Sequence, residues 1–225
     1  MALLGKGMLV TFTEVPARVE VDFNEWYNRE HIGERANMPG FRRARRYIGP
    51  KASPKYFATY ETRRVQDLAA PGYLARLADQ SPWSKRVMAK FSKFERLTLR
   101  ITVDLTTGMG GGVAILRCFP DPAGQTAFRR WLQDVALPRM IAAPGMVGGF
   151  LGENDLEVAN APARAGGGYP AASDQEWLIL LEAAEAKAAL AVLKATLSRQ
   201  ALKGFDLLRP PVSAAYAFQY GELRG

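Results

Sequence analysis

The chain has little of two residues on which site chemistry often depends: one cysteine, Cys118, and one histidine, His31, in 225 residues. A single cysteine excludes an intrachain disulfide, and one histidine with one cysteine excludes the classical zinc sets, so no metal is expected. No run of about 18 apolar residues is present, which excludes a membrane-spanning helix. No strand-turn-helix setting for a nucleophilic serine is present, so a Ser-His-Asp triad is not expected. The start Met-Ala-Leu-Leu-Gly-Lys-Gly-Met lacks the basic and apolar regions of a signal peptide, and the expected location is the cytoplasm.

Acidic residues are in deficit. There are 30 Lys and Arg against 22 Asp and Glu, a net charge of +8. Residues 1–105 hold 19 basic and 11 acidic residues, whereas residues 106–225 hold 11 of each. The excess therefore belongs to the first half, and its partner classes are nucleic acid or an acidic small molecule. The arginines are concentrated on one short segment beside a helix stop, not interleaved with aromatics across an exposed sheet. A small acid is thus the expected partner, and neither nucleic acid nor a membrane is.

An internal repeat is the strongest signal present. Adding 105 to Phe23, Trp26, Pro39 and Gly40 gives Phe128, Trp131, Pro144 and Gly145, and the apolar run Met8–Val10 lands on Val113–Ile115. Recurrence of rare residues at one offset marks duplicated units. Each unit reads as β-α-β-β-α-β. In the first copy, strands are expected at 7–15, 41–49, 56–62 and 94–105. A helix is expected at 21–38, with Asp22 and Glu25 as a capping pair, and helical segments at 66–91 break near Pro71-Gly72 and Ser81-Pro82. In the second, strands are expected at 112–119, 146–152, 176–182 and 212–223, with helices at 123–143 and 186–202. Residues 106–112 link the copies, and 157–174, with Gly166-Gly167-Gly168, reads as a mobile loop. The domains are expected at 1–107, basic, and 112–225, degenerate. The fold class is α+β: two ferredoxin-like (βαββαβ) repeats packed sheet to sheet as an intramolecular dimeric α/β barrel. A fused pseudo-dimer can stand as a monomer, and its edge strands can also pair two chains as a homodimer.

Phe23-Asn-Glu-Trp-Tyr-Asn-Arg-Glu-His-Ile-Gly-Glu-Arg35, followed by Met38-Pro-Gly-Phe-Arg-Arg-Ala-Arg-Arg-Tyr47, resembles the EthD-like members of the dimeric α/β barrel superfamily. Ser81-Pro-Trp-Ser-Lys-Arg86 is similar to that family's second helical segment. Gly33 departs from the pattern, where a proline is usual after the Glu-His pair. The resemblance implies a pocket between sheet and helices. It also implies relatives that include lyases, isomerases, cyclases and monooxygenases on aromatic or lactone-like metabolites, alongside members without known activity.

Comparison of the two copies locates a candidate site. On a helical wheel Phe23, Trp26, Tyr27, Glu30, Glu34 and Met38 share one side with His31 at its flank; the second copy has Val135 and Ala136 where the first has Glu30 and His31. Phe41, Arg43, Arg45 and Tyr47 are expected on one strand face, and Arg42 and Arg46 on the other. The expected function is a cofactor-independent lyase, isomerase or dehydratase acting on a hydrophobic or aromatic acid. His31, with Glu30 or Glu34, would move protons; Arg43 and Arg45 would hold the acid; and Tyr27, Tyr47 and Trp83 would line the pocket. A non-catalytic binder of a small hydrophobic acid is the alternative. A surface ion-pair cluster around Glu30 and His31, and a solvated arginine-bearing edge strand, are the structural readings of the same residues.

Overall fold

In the computed structural model, which describes residues 2–166 and 171–224, the eight expected strands are present. The first repeat begins with β1 (Gly7–Glu14). The helix that follows is continuous, in three parts: α1 (Glu20–Trp26), a π-helical turn (Tyr27–His31) and α2 (Ile32–Ala36). Then come β2 (Phe41–Ile48), β3 (Tyr56–Thr62), α3 (Pro71–Ala78), α4 (Pro82–Met88) and β4 (Lys93–Asp104). Proline in the first turn opens both α3 and α4, where its missing N–H has no helical partner to lose.

The second repeat follows the same plan. It comprises β5 (Gly112–Cys118), α5 (Gln125–Trp131), a π-helical turn (Leu132–Ala136), α6 (Leu137–Ile141), β6 (Met146–Asn154), α7 (Leu156–Ala159), α8 (Ala161–Arg164), β7 (Trp177–Ala183), α9 (Ala186–Thr196), α10 (Arg199–Leu202) and β8 (Val212–Leu223). The chain forms two compact units. One comprises Leu4–Arg100 with Asp155–Ser173 and Gln219–Gly225; the other comprises Ile101–Asn154 and Asp174–Phe218 with Met1–Leu3.

In the first unit β1 pairs antiparallel with β3 and β4, and β2 pairs with β3, giving the order β4-β1-β3-β2. The other unit repeats it as β8-β5-β7-β6. The likeness extends to irregular features. Each helix has its π turn at the same place, since 27–31 plus 105 is 132–136. Each second strand carries a bulge, between Phe41 and Arg43 and between Met146 and Gly148.

The bulge changes one expected facing. It adds a residue to β2 and so turns Phe41 to the helix side, where Ala44 also packs, while Arg43 and Arg45 remain on the opposite face. The Asp22–Glu25 capping pair is not formed. The helix starts at Glu20 with no side-chain cap, and Asp22 instead accepts the indole N–H of Trp83 at 2.9 Å. The expected loop at 157–174 is helical and packed over its first part. Asp155 caps α7 by accepting the Val158 N–H at 3.1 Å, and Val158, Ala161 and Pro162 are buried. Val158 joins the first unit's core. Gly167 and Gly168 lie outside the described residues. The expected helix 186–202 is two helices, because Leu197 leaves the helical path and Ser198 starts α10 as its cap.

The left-handed glycines provide a paired test. Gly40 has φ +90° and Gly145 φ +81° at equivalent turns. A Cβ on Gly40 would lie 2.7 Å from Asp67 Cβ and Cγ, whereas none on Gly145 would meet a neighbour within 4 Å. Gly145→Ala is expected to lose about 1 kcal/mol from backbone strain, and Gly40→Ala roughly 2–4 kcal/mol from strain plus overpacking. Equal midpoints of the two variants in chemical denaturation would contradict this.

Candidate functional site

The π turn decides which side chains reach the first unit's interior. An α-helical wheel carries Glu30 and Glu34 inward. One extra residue in the turn rotates everything after it, so the inward positions are Phe23, Trp26, Tyr27, His31, Ile32, Arg35 and Ala36. Glu30 lies at the surface of this packing, where it accepts hydrogen bonds from Ser81 Oγ at 2.5 Å and Ser84 Oγ at 3.2 Å. Ser84 Oγ in turn accepts the Trp26 indole N–H at 3.0 Å. Glu34 is ion-paired with Arg76. Neither carboxylate orients His31, and the surface cluster of Glu30, His31 and Arg35 does not form.

His31 lies instead in the wall of a cavity between sheet and helices, with about 430 Å³ of empty space including its open mouth. The sheet supplies Leu9 and Thr11 from β1, Tyr60 from β3, and Phe94 and Arg96 from β4. Trp26, Tyr27, His31 and Arg35 come from the long helix, and Tyr73 and Leu77 from α3. Met88 and Phe91 close the α4 side. The imidazole stacks on Trp26, centroids 4.2 Å apart at 31°, and meets Tyr27 edge-on at 5.2 Å. Its Nδ1 is buried and has no hydrogen-bond partner among the described residues; the same holds for Thr11 Oγ1. Burial, then the charges of Arg35 and Arg46, hold His31 well below its ordinary 6.5, so the imidazole is neutral at neutral pH. Tyr60 donates to the Tyr27 hydroxyl at 3.4 Å, and burial raises Tyr60 well above 10.

Of the expected site residues, His31 and Tyr27 line this cavity. Trp83 is bound to Asp22 outside its wall. Arg43, Arg45 and Tyr47 are buried on the opposite sheet face. There Arg43 Nε donates to Glu61 Oε1 at 2.6 Å, and Arg45 lies 3.6 Å from the same oxygen. Three of the four arginines on this strand are therefore not solvated, as an exposed edge would require: Arg43, Arg45 and Arg46 are each 2% exposed, and only Arg42 is half-buried. Arg35, Tyr60, Tyr73, Thr11 and Arg96 were not legible as lining residues. Arg35 follows from the π turn, and the others depend on strand register and on α3 packing. Among the described residues no group of three His, Cys, Asp or Glu side chains could hold a metal, and no helix is long and apolar enough to cross a membrane. Cys118 is buried, which pushes its thiol up and makes it inert.

No family model matches the sequence, and no curated protein matches it. Solved structures do match. An anthrone oxidase-like protein is 12% identical with a TM-score of 0.71, over 100% of this chain and 96% of that one. A candidate monooxygenase from Lactobacillus acidophilus is 12% identical with a TM-score of 0.60, over 97% and 96%. A ferredoxin-fold protein from Listeria monocytogenes, related to antibiotic biosynthesis monooxygenases, is 9% identical with a TM-score of 0.50, over 97% of each chain. The fold is that of the dimeric α/β barrel proteins. Two ferredoxin-like repeats within one chain make up this version of it.

The repeats differ where the cavity lies. Strand pairing and the offset of 105 place Leu116 at the position of Thr11, Leu132 at Tyr27, Ala136 at His31, Met140 at Arg35 and Leu181 at Tyr60. All five belong to the packed apolar core of the second unit. Each of these five polar side chains of the first wall thus has an apolar counterpart in the second, whereas Arg96, opposite Thr11, corresponds to Ser213, opposite Leu116.

Proposed function

We propose that the first repeat binds a small hydrophobic or aromatic acid and acts on it without a cofactor, with His31 as the proton acceptor. The observation that carries this reading is the concentration of polar groups in one copy. A packing site would tolerate the aliphatic set of the second repeat, and the first repeat keeps an unsatisfied imidazole in its place. Aromatic walls, with Trp26, Tyr27, Tyr60, Tyr73, Phe91 and Phe94, suit a planar ligand.

A neutral imidazole can take a proton from an acidic C–H or phenol O–H, and the Arg35 guanidinium stabilises the anion so formed. Return of the proton elsewhere on the ligand gives the isomerase or lyase chemistry suggested by the EthD-like resemblance of residues 23–47. Reaction of the anion with dioxygen is the second reading, favoured by the names of the anthrone oxidase-like and monooxygenase neighbours.

The experiment is a thermal-shift screen against aromatic acids, phenols and lactones, followed by a turnover assay with oxygen uptake recorded. A ligand at about 100 times its Kd adds roughly 2.7 kcal/mol to stability, a rise in Tm of several degrees for a chain of this size. Turnover without oxygen uptake supports proton transfer alone, and turnover with it supports oxidation. Binding without turnover identifies a non-catalytic binder, and a blank screen on folded protein overturns the reading.

A further inference from the structure

Two of the buried arginines share one carboxylate: Arg43 meets Glu61 at 2.6 Å and Arg45 meets it at 3.6 Å. Arg35 and Arg46 do not, although they are only 3% and 2% exposed. Arg35 donates to Gln80 Oε1 at 3.2 Å, approaches Met38 Sδ at 3.6 Å and lies 5.8 Å from the Tyr73 ring centroid. Arg46 donates to Asn24 Oδ1 at 2.5 Å, Asn28 Oδ1 at 3.1 Å and the Asn24 carbonyl at 3.4 Å. Its guanidinium sits 4.6 Å from the Tyr27 centroid, with Phe23 and Tyr56 at 5.5 Å. Amide oxygens and ring faces solvate a cation but do not neutralise it. The two acids of the same helix that could do so point elsewhere: Glu30 is held by Ser81 and Ser84, and Glu34 by Arg76.

We propose that the cavity selects anions through these two buried charges, Arg35 in its wall and Arg46 behind Tyr27, and that Arg46 sets this selectivity without touching the ligand. The inference rests on the reading of the cavity as the ligand site and adds a specificity-determining residue outside its wall. Arg46 is not among the lining residues, but Tyr27 is, and the guanidinium lies over that ring, 4.6 Å from its centroid. Its field reaches the cavity, because its charge is felt at His31 together with that of Arg35. The other titratable groups facing His31 are Tyr27 on its own helix, Tyr60 from β3, Tyr73 from α3 and Arg96 from β4. None of these is a carboxylic acid. A bound carboxylate or phenolate is thus the counter-ion the site lacks, whereas a neutral isostere gains nothing from Arg46.

The test compares affinities of naphthoate and naphthamide for the wild type, Arg46→Gln and Arg46→Lys, by calorimetry. The wild type is expected to prefer naphthoate. Arg46→Gln is expected to weaken naphthoate binding about tenfold, the scale of one unit charge acting across a partly screened interior, and to leave naphthamide unchanged. Arg46→Lys keeps the charge and restores the preference; it carries the test alone if Arg46→Gln does not fold. The His31 ring resonances give a second readout, with a titration midpoint that rises in Arg46→Gln and not in Arg46→Lys. Equal loss of both ligands in Arg46→Gln, or loss of the preference in a folded Arg46→Lys, would make Arg46 a packing residue and overturn the inference. Preference for naphthoate unaltered by Arg46→Gln would assign selectivity to the wall alone. Failure of wild-type protein to bind either naphthalene or the benzoate and benzamide pair would instead sink the reading of the cavity itself.

Discussion

Glu61→Ala is expected to destabilise the protein by about 3–5 kcal/mol, because it removes the carboxylate that two buried guanidiniums share. Glu61 is 1% exposed and meets Arg43 at 2.6 Å and Arg45 at 3.6 Å, while its other oxygen accepts the Leu4 backbone N–H at 2.8 Å. The variant leaves two positive charges on one sheet face without that acid and frees an amide. A fall in Tm of roughly 10 °C is the expected scale for a chain of this length. Glu61→Gln keeps the shape and an acceptor for Leu4 and is expected to lose less. Glu25→Ala breaks a helical ion pair with Arg29 that is largely exposed, and is expected to change almost nothing. Matching midpoints for Glu61→Ala and Glu25→Ala would show that the buried pairs contribute no more than a surface one.

His31→Gln is expected to lower kcat/KM by about 10²–10⁴, the usual contribution of a positioned base, in whichever reaction the screen reveals. Its pH dependence follows from burial. Wild-type activity is expected to stay level as pH falls through 6.5, where an exposed histidine would protonate, and to drop only at clearly lower pH. Stability carries the same signature. Between the lowered folded value and the ordinary unfolded value of 6.5, the unfolded chain binds a proton that the folded chain does not. Stability therefore rises with pH across that window and is reduced below it. His31→Gln removes this slope. A wild-type profile that breaks at 6.5, or a variant with unaltered turnover, would show that His31 is not the base.

The repeat, the order of elements along the chain and the two Pro-Gly helix stops were legible because they depend on local signals: alternating apolar residues, Pro-Gly breaks and a constant offset. The duplication also drew attention to the copy with His31, although Glu30, the other residue of that contrast, lies outside the wall. The wall itself was legible only through Tyr27 and His31. An ideal wheel assumes 3.6 residues per turn, and no residue in Tyr27–His31 announces that the turn is wider; Arg35 was missed, and Glu30 and Glu34 were turned inward, for that one reason. Arg43, Arg45 and Tyr47 failed differently. Strand alternation gave their common face, but which face carries the helices is a property of the assembled unit.

The wide turn also bears on descent. A π-helical turn is a rare interruption of a helix, and it occurs in both repeats, 105 residues apart. The economical history is that a single ancestral unit already had the extra residue when it was copied. In that case the second half did not acquire its helix independently; it inherited a helix already phased to aim positions 132, 136 and 140 inward, and filled them with leucine, alanine and methionine. The two halves are then one scaffold finished in two ways, one lined with apolar side chains and one with polar ones.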